Sequence, residues 1–482
     1  MSAAVARALV FFTSAATLVL EILAGRVMAP YVGVTLETFT GIIGVVLAGI
    51  AVGAWLGGSV ADRRPPEPLL GPFLLAAGAL ALLSPTLVHA VGPSTTAAGP
   101  TEIVILTTVA FFAPAVLLSA IPPMVVKIRL QSLDETGTVV GSLSAIGTAG
   151  AIFGTFATGF VLVATLPSDV AILAVGGTVV AVGVVLSYRH LAPGRLGVAL
   201  LPALAAAALL PAVDGPCDEE TTYFCAYVTV DPDRSSGRIL WLDTVRHSYV
   251  DLEDPTHLGF RYSRVMADVL ATLPEGPLDV LFVGGGGFTV PRYVSAVRPG
   301  SSHVVLEIDG ALVDLARRDL GLGDRDDLRT EIGDARVLVT AEPADAFDVV
   351  VGDAFGGLAV PWHLTTREFV EDLRRLLRPD GVYTLNLIDY PPLDFARAEV
   401  ATIAEVFDHV LVIAPAEYLS GDLGGNFVIA ASDTPFDTGA IQDRIAERGG
   451  TEVVFDDPDA FAGDARILTD DFAPVDQLIS RP

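Results

Sequence analysis

The chain has 482 residues, of which 52% are hydrophobic, a mean hydropathy of +0.57 and a formal net charge of −28. At about 150 residues per domain this length allows about three domains, but the hydropathy excludes a chain built only of ordinary soluble ones, and the composition excludes a disordered, fibrous or disulfide-dense protein. The charge is unevenly placed: residues 1–213 hold eight Lys/Arg and eight Asp/Glu, so the whole surplus of acid lies after Val213.

In chain order, apolar runs long enough to cross a hydrocarbon core, which takes roughly 20 helical residues, occupy about 4–29, 38–60, 69–91, 102–123, 139–164 and 168–188. A shorter seventh run covers 196–213, contains Pro202 and ends near Pro211. The first run is too long for a removable signal peptide and reads as a retained helix. Glycines such as Gly141, Gly147, Gly150, Gly154 and Gly159 read as close-packing positions between helices. Glu21 is the one acid well inside a span, with Arg26 as a candidate partner just over one helical turn on.

Orientation follows from the loops. Arg63 and Arg64, Lys127 and Arg129, and Arg189 and Arg195 fall in alternate loops, while 30–37, 92–101 and 165–168 carry no Lys or Arg. The positive-inside rule therefore puts the amino terminus in the cytoplasm of a multi-pass cell-membrane protein. Seven crossings would put the carboxyl half on the exoplasmic side. Cys217 and Cys225, the only cysteines, bear on the same question: a disulfide would fit an oxidising compartment, and two buried free thiols are the alternative.

After Asp214 the pattern changes to short strands at Tyr223–Val230, Arg238–Asp243 and His247–Asp251, with a turn sequence from Asp231 to Gly237 between the first two. We expect a transmembrane domain over 1–213, a small β module with a linker helix over 214–272, and an α/β domain over 273–482. The last begins with strands at 279–283, 303–308, 328–332, 347–352 and 381–388, alternating with helices at about 288–298, 310–319 and 366–377, which predicts a parallel sheet covered on both faces. A helix at 394–407 and strands at 408–414 and 426–431 complete it.

Ligands of such folds lie beyond the carboxyl ends of the strands. The first strand runs into Gly284, Gly285, Gly286 and Gly287, a turn whose missing Cβ atoms admit a ligand to the backbone at a helix amino end. The second ends at Glu307, about 20 residues on, where a carboxylate can accept two ribose hydroxyls. The third ends at Asp334, beside the expected adenine position, followed by Ala335, and the fourth at Asp353. A dinucleotide site would show GxGxxG, but the sixth position from Gly284 is Thr289. S-adenosylmethionine or its decarboxylated form is favoured over a nicotinamide cofactor.

These residues resemble the spermidine synthase (polyamine aminopropyltransferase) family, and the whole chain resembles its membrane-fused bacterial and archaeal subgroup. The likeness rests on EILAGRVMAPY at 21–31 and GGSVADRR at 57–64, then on VGGGGFTV, LEID, GDAR and FDVVVGDAF in the carboxyl half, with DPTHL at 254–258 and PWHLTT at 361–366 closest to the fused subgroup. It implies a Rossmann-like transferase domain that moves a 3-aminopropyl group from decarboxylated S-adenosylmethionine to an amine, releasing methylthioadenosine. It further implies Asp353 as the base, Tyr262 lining the amine pocket, and His247 where soluble members usually have a cofactor-side glutamine. Three positions depart from the family: Gly287 and Gly356 replace acids, and Ser263 replaces a larger polar residue. Each lost carboxylate removes a charge-assisted contact worth roughly 1.5 to 3 kcal/mol, so putrescine specificity does not carry over.

Two further readings share the scaffold: an S-adenosylmethionine-dependent methyltransferase, and a non-catalytic polyamine-binding or transport protein. The donor's cytosolic origin argues for a cytoplasmic domain, against the loop charges. The expected partners are the lipid bilayer and a small amine or polyamine, and self-association into a homo-oligomer is compatible with the sequence. No metal-ligand spacing or nucleophile elbow appears. An acidic domain repels nucleic acid.

Overall fold

The computed structural model describes residues 1–95, 99–130, 132–188 and 215–480. The chain divides into two compact units, Met1–Ala226 with Leu242–Thr244, and Tyr227–Trp241 with Val245–Pro482.

Among the described residues of the first unit, six helices are long and apolar enough to cross a membrane: α1 (Ala3–Val32), α2 (Leu36–Arg63), α3 (Glu67–Ser94), α4 (Pro100–Arg129), α5 (Thr136–Thr165) and α6 (Ser168–Ser187). The seventh apolar run, Arg189 and Arg195 lie outside the described residues. Several glycines do the packing expected of them. A Cβ on Gly150 or Gly154 would stand 2.2 and 2.5 Å from the α1 carbonyl oxygens of Phe11 and Ala15, so α5 lies against α1 at backbone distance. Gly141 and Gly159 face open space instead and carry no such constraint.

The two ends of this bundle differ chemically. At one end Lys127 pairs with Asp62 at 2.8 Å, the Met1 ammonium pairs with Glu67 at 3.0 Å, and Gly71 of α3 abuts Ser187, the last residue of α6. At the other, His89 near the end of α3 binds Asp169 at the start of α6 (2.8 Å) and Tyr31 at the end of α1 (3.0 Å). The segment from Gly215 to Ala226 sits at this second end: Gly215 lies against the His89 ring, Glu220 accepts from the Ser168 backbone N–H at 2.9 Å, and Arg26 donates to the Thr221 and Thr222 carbonyls. Arg26 thus pairs with Glu220 (3.5 Å) instead of Glu21; the helix register carries its guanidinium outward to the polar segment. Cys217 and Cys225 of that segment are joined by a disulfide.

A four-stranded sheet follows in the order β1 (Glu219–Glu220), β2 (Cys225–Asp231), β3 (Arg234–Leu242), β4 (Val245–Asp251). β3 begins earlier than its sequence suggests, because the turn needs only Pro232 and Asp233, and Arg234 is fixed as a strand residue by pairing with Asp251 and Asp254.

After helix α7 (Arg261–Ala271) the second unit forms an eight-stranded sheet from β5 (Asp279–Val283), β6 (Ser302–Glu307), β7 (Leu328–Ile332), β8 (Phe347–Gly352), β9 (Leu377–Asp389), β10 (His409–Pro415), β11 (Gly425–Ser432) and β12 (Glu452–Phe455), in the order β12-β10-β11-β9-β8-β5-β6-β7. Helices α8 (Thr289–Val297), α9 (Gly310–Asp319), α10 (Ala335–Leu338), α11 (Arg367–Leu376) and α12 (Asp394–Ala404) connect it. Only β5 to β9 are parallel. β11 pairs antiparallel with β9 and β10, and β12 antiparallel with β10, so the expected all-parallel sheet is mixed. The short turn-bearing link from β10 to β11 is a reversal, too brief for the crossover that a parallel partner requires. Order reverses beside β5, where β6 lies on one side and β8 on the other, and there the strand ends open into a crevice.

Candidate functional site

Asp353 follows directly on β8, and its backbone N–H donates to Val283 of β5 at 2.9 Å. Since Gly352 registers with Leu385 of β9, the next residues, Asp353 and Asn386, stand side by side at the strand ends. Asn386 Nδ2 donates to Asp353 Oδ1 at 2.9 Å, Tyr262 Oη of α7 donates to Oδ2 at 3.0 Å, and Asn426 Nδ2 of β11 donates to Asn386 Oδ1 at 2.9 Å. Both carboxylate oxygens are therefore held. Burial pushes the Asp353 carboxyl up to about 6, against the opposing pull of its Asn386 and Tyr262 donors. The same burial and the adjacent acid hold the Tyr262 phenol well above its usual range, so it is a donor at neutral pH.

The glycine turn closes against this group. Gly284 has φ +96°, and a Cβ there would lie 2.5 Å from the Asp353 carbonyl oxygen, so only glycine lets β5 and β8 deliver their ends so close together. Glu307, 6% exposed, accepts from the N–H groups of Gly285 (2.8 Å) and Gly286 (3.2 Å) through Oε2 and from Asp309 (3.0 Å) through Oε1. Its carboxyl is raised by burial, with those three donors opposing. Two carboxylate oxygens offer about four lone-pair positions, so acceptor capacity remains for a ribose hydroxyl.

Asp334 caps α10 by accepting from Arg336 N–H at 2.9 Å, and lies 3.4 Å from His363 Nε2 of the PWHLTT stretch. Ala335, at the first turn of α10, is buried. His247 of β4 contacts Ser248 Oγ at 3.3 Å and is kept neutral by burial, its imidazole lowered to about 4. Ser263, in α7, turns its hydroxyl to the Phe260 carbonyl (2.9 Å).

The two glycines at expected acid positions differ. A Cβ on Gly287 would meet Ser248 Cβ at 2.7 Å, and its N–H already donates to Ser248 Oγ at 3.0 Å. A Cβ on Gly356 would meet nothing nearer than Pro361 Cγ at 3.9 Å. The first position has been closed by β4; the second is spare room.

A cavity of about 180 Å³ opens at Asp353, bounded by His247, Tyr262, Phe260, Phe355, Asn386 and Asn426, with Arg246 and Arg261 also in its wall. Asn386 and Asn426 were not among the candidates from sequence. The signal for Asn386 is an amide between Leu385 and Leu387 near the end of β9, and that for Asn426 is an amide opening the apolar run of β11.

The strand order, glycine turn and acid-ended strands define a Rossmann-like fold with a mixed sheet. Residues 259–395 match the spermine/spermidine synthase domain. The chain is 32% identical over 151 residues to the polyamine aminopropyltransferase of Chromobacterium violaceum, a match covering 30% of this chain and 54% of that one. It is 26% identical over 152 residues to the human eEF1A lysine and N-terminal methyltransferase, covering 28% of this chain and 22% of that one. The crystal structure of a probable spermidine synthase from Corynebacterium glutamicum aligns with TM-score 0.50 and 29% identity, over 55% of this chain and 98% of that one. The chain thus spans about half the length of the curated aminopropyltransferase it matches first.

Proposed function

We propose that the protein is a membrane-bound polyamine aminopropyltransferase that moves the 3-aminopropyl group of decarboxylated S-adenosylmethionine to an amine. The observation that carries this is the buried Asp353 carboxylate, held by Tyr262 and Asn386 at the mouth of a cavity beside the glycine turn. Gly284, Gly285 and Gly286 present backbone to the donor, Glu307 takes a ribose hydroxyl, and Asp334, Ala335 and His247 line the nucleoside. The amine nitrogen forms a bond to the methylene next to the sulfonium. The carbon–sulfur bond breaks with its electron pair going to sulfur, which leaves as the neutral thioether methylthioadenosine. The amine's proton goes to Asp353. The sulfonium is already a good leaving group, so alignment and a base are what the protein must supply, and a carboxylate near 6 is a better-matched base than an ordinary aspartate.

A second reading, methyl transfer from intact S-adenosylmethionine, draws on the closed Gly287 position. One assay separates the two: purified protein with labelled intact or decarboxylated donor and an amine panel. Methylthioadenosine release that vanishes in Asp353→Asn supports aminopropyl transfer. S-adenosylhomocysteine formation supports methyl transfer, and neither product points to a binding protein.

For the side of the membrane, the contacts within the first unit support an exoplasmic carboxyl half. Arg63, Lys127 and Arg129 gather at the amino-terminal end of the bundle, and the disulfide-bearing segment Gly215–Ala226 at the opposite end. Ser187, the last residue of α6, lies at the first end and Gly215 at the second. The nucleoside donor would then have to reach that compartment.

A further inference from the structure

We propose that the acceptor pocket takes an amine whose far end bears a carboxylate, recognised by Arg246, in preference to an α,ω-diamine. This rests on the reading of the site as an aminopropyltransferase's, and concerns which amine enters. Among the described residues the pocket wall holds a single carboxylate, Asp353, against two guanidiniums, Arg246 and Arg261. Arg261 is 3.5 Å from Glu452, an acid that also takes Arg448 at 3.0 Å. Arg246 is exposed and has no ion pair among the described residues; its guanidinium lies 5.6 Å from the centre of the Phe260 ring. Asp231 is held below the usual carboxylate range by the Asp233 N–H and by Tyr249 Oη at 2.9 Å, and more weakly by the charge of Arg246, with which it forms no ion pair among the described residues. His247 is neutral and adds no charge at pH 7.

The consequence for a substrate is electrostatic. A diamine that presents one nitrogen to Asp353 has a second ammonium at the other end, and there it meets guanidiniums and aromatic faces with no second carboxylate in the wall. An ω-amino acid presents the same nitrogen to Asp353 and a carboxylate to Arg246, for which a guanidinium offers planar paired donors.

The test is a comparison of 4-aminobutyrate, putrescine and butylamine, which share a four-carbon frame and differ in the far group. Equilibrium binding by calorimetry to the detergent-solubilised full chain is measured beside methylthioadenosine release. The expected result is at least tenfold tighter binding of 4-aminobutyrate than of putrescine, lost in Arg246→Gln and inverted in Arg246→Glu, with butylamine unaffected by either. Arg246 is exposed, so both variants are expected to keep the wild-type melting temperature. Putrescine binding as tightly as 4-aminobutyrate, or a preference unchanged by Arg246→Gln, overturns the proposal. If the Arg246-dependent preference is found but no amine yields methylthioadenosine, the pocket assignment stands and the transferase reading falls.

Discussion

Tyr262 Oη donates to Asp353 Oδ2 at 3.0 Å, joining α7 to the end of β8 across 91 residues of sequence. The bond favours the ionised carboxylate, and its loss lets desolvation raise the carboxyl further. Tyr262→Phe should therefore move the acid limb of the pH–rate profile upward from about 6. Activity should be depressed most at pH 6 to 7 and recover toward pH 9. A uniform loss at all pH values would show that Tyr262 acts only through packing.

Glu307 holds the glycine turn and, in the proposed function, binds the donor. Glu307→Gln keeps an acceptor for Gly285 or Gly286 and should fold, yet weaken donor binding by about 10- to 100-fold, the worth of roughly 1.5 to 3 kcal/mol for hydrogen bonds to a charged group. Isothermal titration with decarboxylated S-adenosylmethionine reads this directly. Unchanged affinity would remove Glu307 from the ribose.

Gly287 and Gly356 should respond oppositely to a methyl group. Gly287→Ala pushes a Cβ into Ser248 at 2.7 Å and should cost about 1 to 3 kcal/mol by overpacking. Gly356→Ala, with nothing closer than 3.9 Å, should leave stability within about 0.5 kcal/mol. Thermal melts of the two variants compare them.

Glu399 in α12 is fully buried with neither carboxylate oxygen hydrogen-bonded among the described residues, and burial holds its carboxyl well above the usual range. An acid whose folded pKa is raised destabilises the fold increasingly as pH rises above its unfolded value. Glu399→Gln should therefore melt higher than wild type at pH 7, with the gap closing toward pH 4.5 as both side chains become neutral. A variant that melts lower at every pH would point to a partner for Glu399.

The Cys217–Cys225 disulfide and the cation-poor end of the bundle predict the same topology. In intact cells a membrane-impermeant maleimide should label these cysteines only after reduction, and a reporter fused after Pro482 should be active outside the cytoplasm. Labelling without reductant, or a cytoplasmic reporter, would place the carboxyl-terminal domain inside.

The sequence by itself determined the division into an apolar and an acidic half, because long apolar helices and strands rich in acid suit different solvents and the residues record which. It also determined β5, β7 and β8 to the residue, since each is an apolar run or strand-forming stretch bounded by glycine or acid. It named Glu307, Asp334 and Asp353 because a carboxylate at a strand end stands out against the run before it.

The tertiary structure decided what depends on neighbours distant in the chain. The antiparallel β11 reads like any buried strand, since direction leaves no mark on composition, and β12 is too short to be periodic. Asn386 and Asn426 gain their meaning from the register of β8, β9 and β11, which brings three residues from separate strands into one hydrogen-bonded row. Arg26 chose Glu220 over Glu21 for the same reason: spacing along a helix fixes which groups are near in sequence, while the partner that wins is set by what the rest of the chain folds against it.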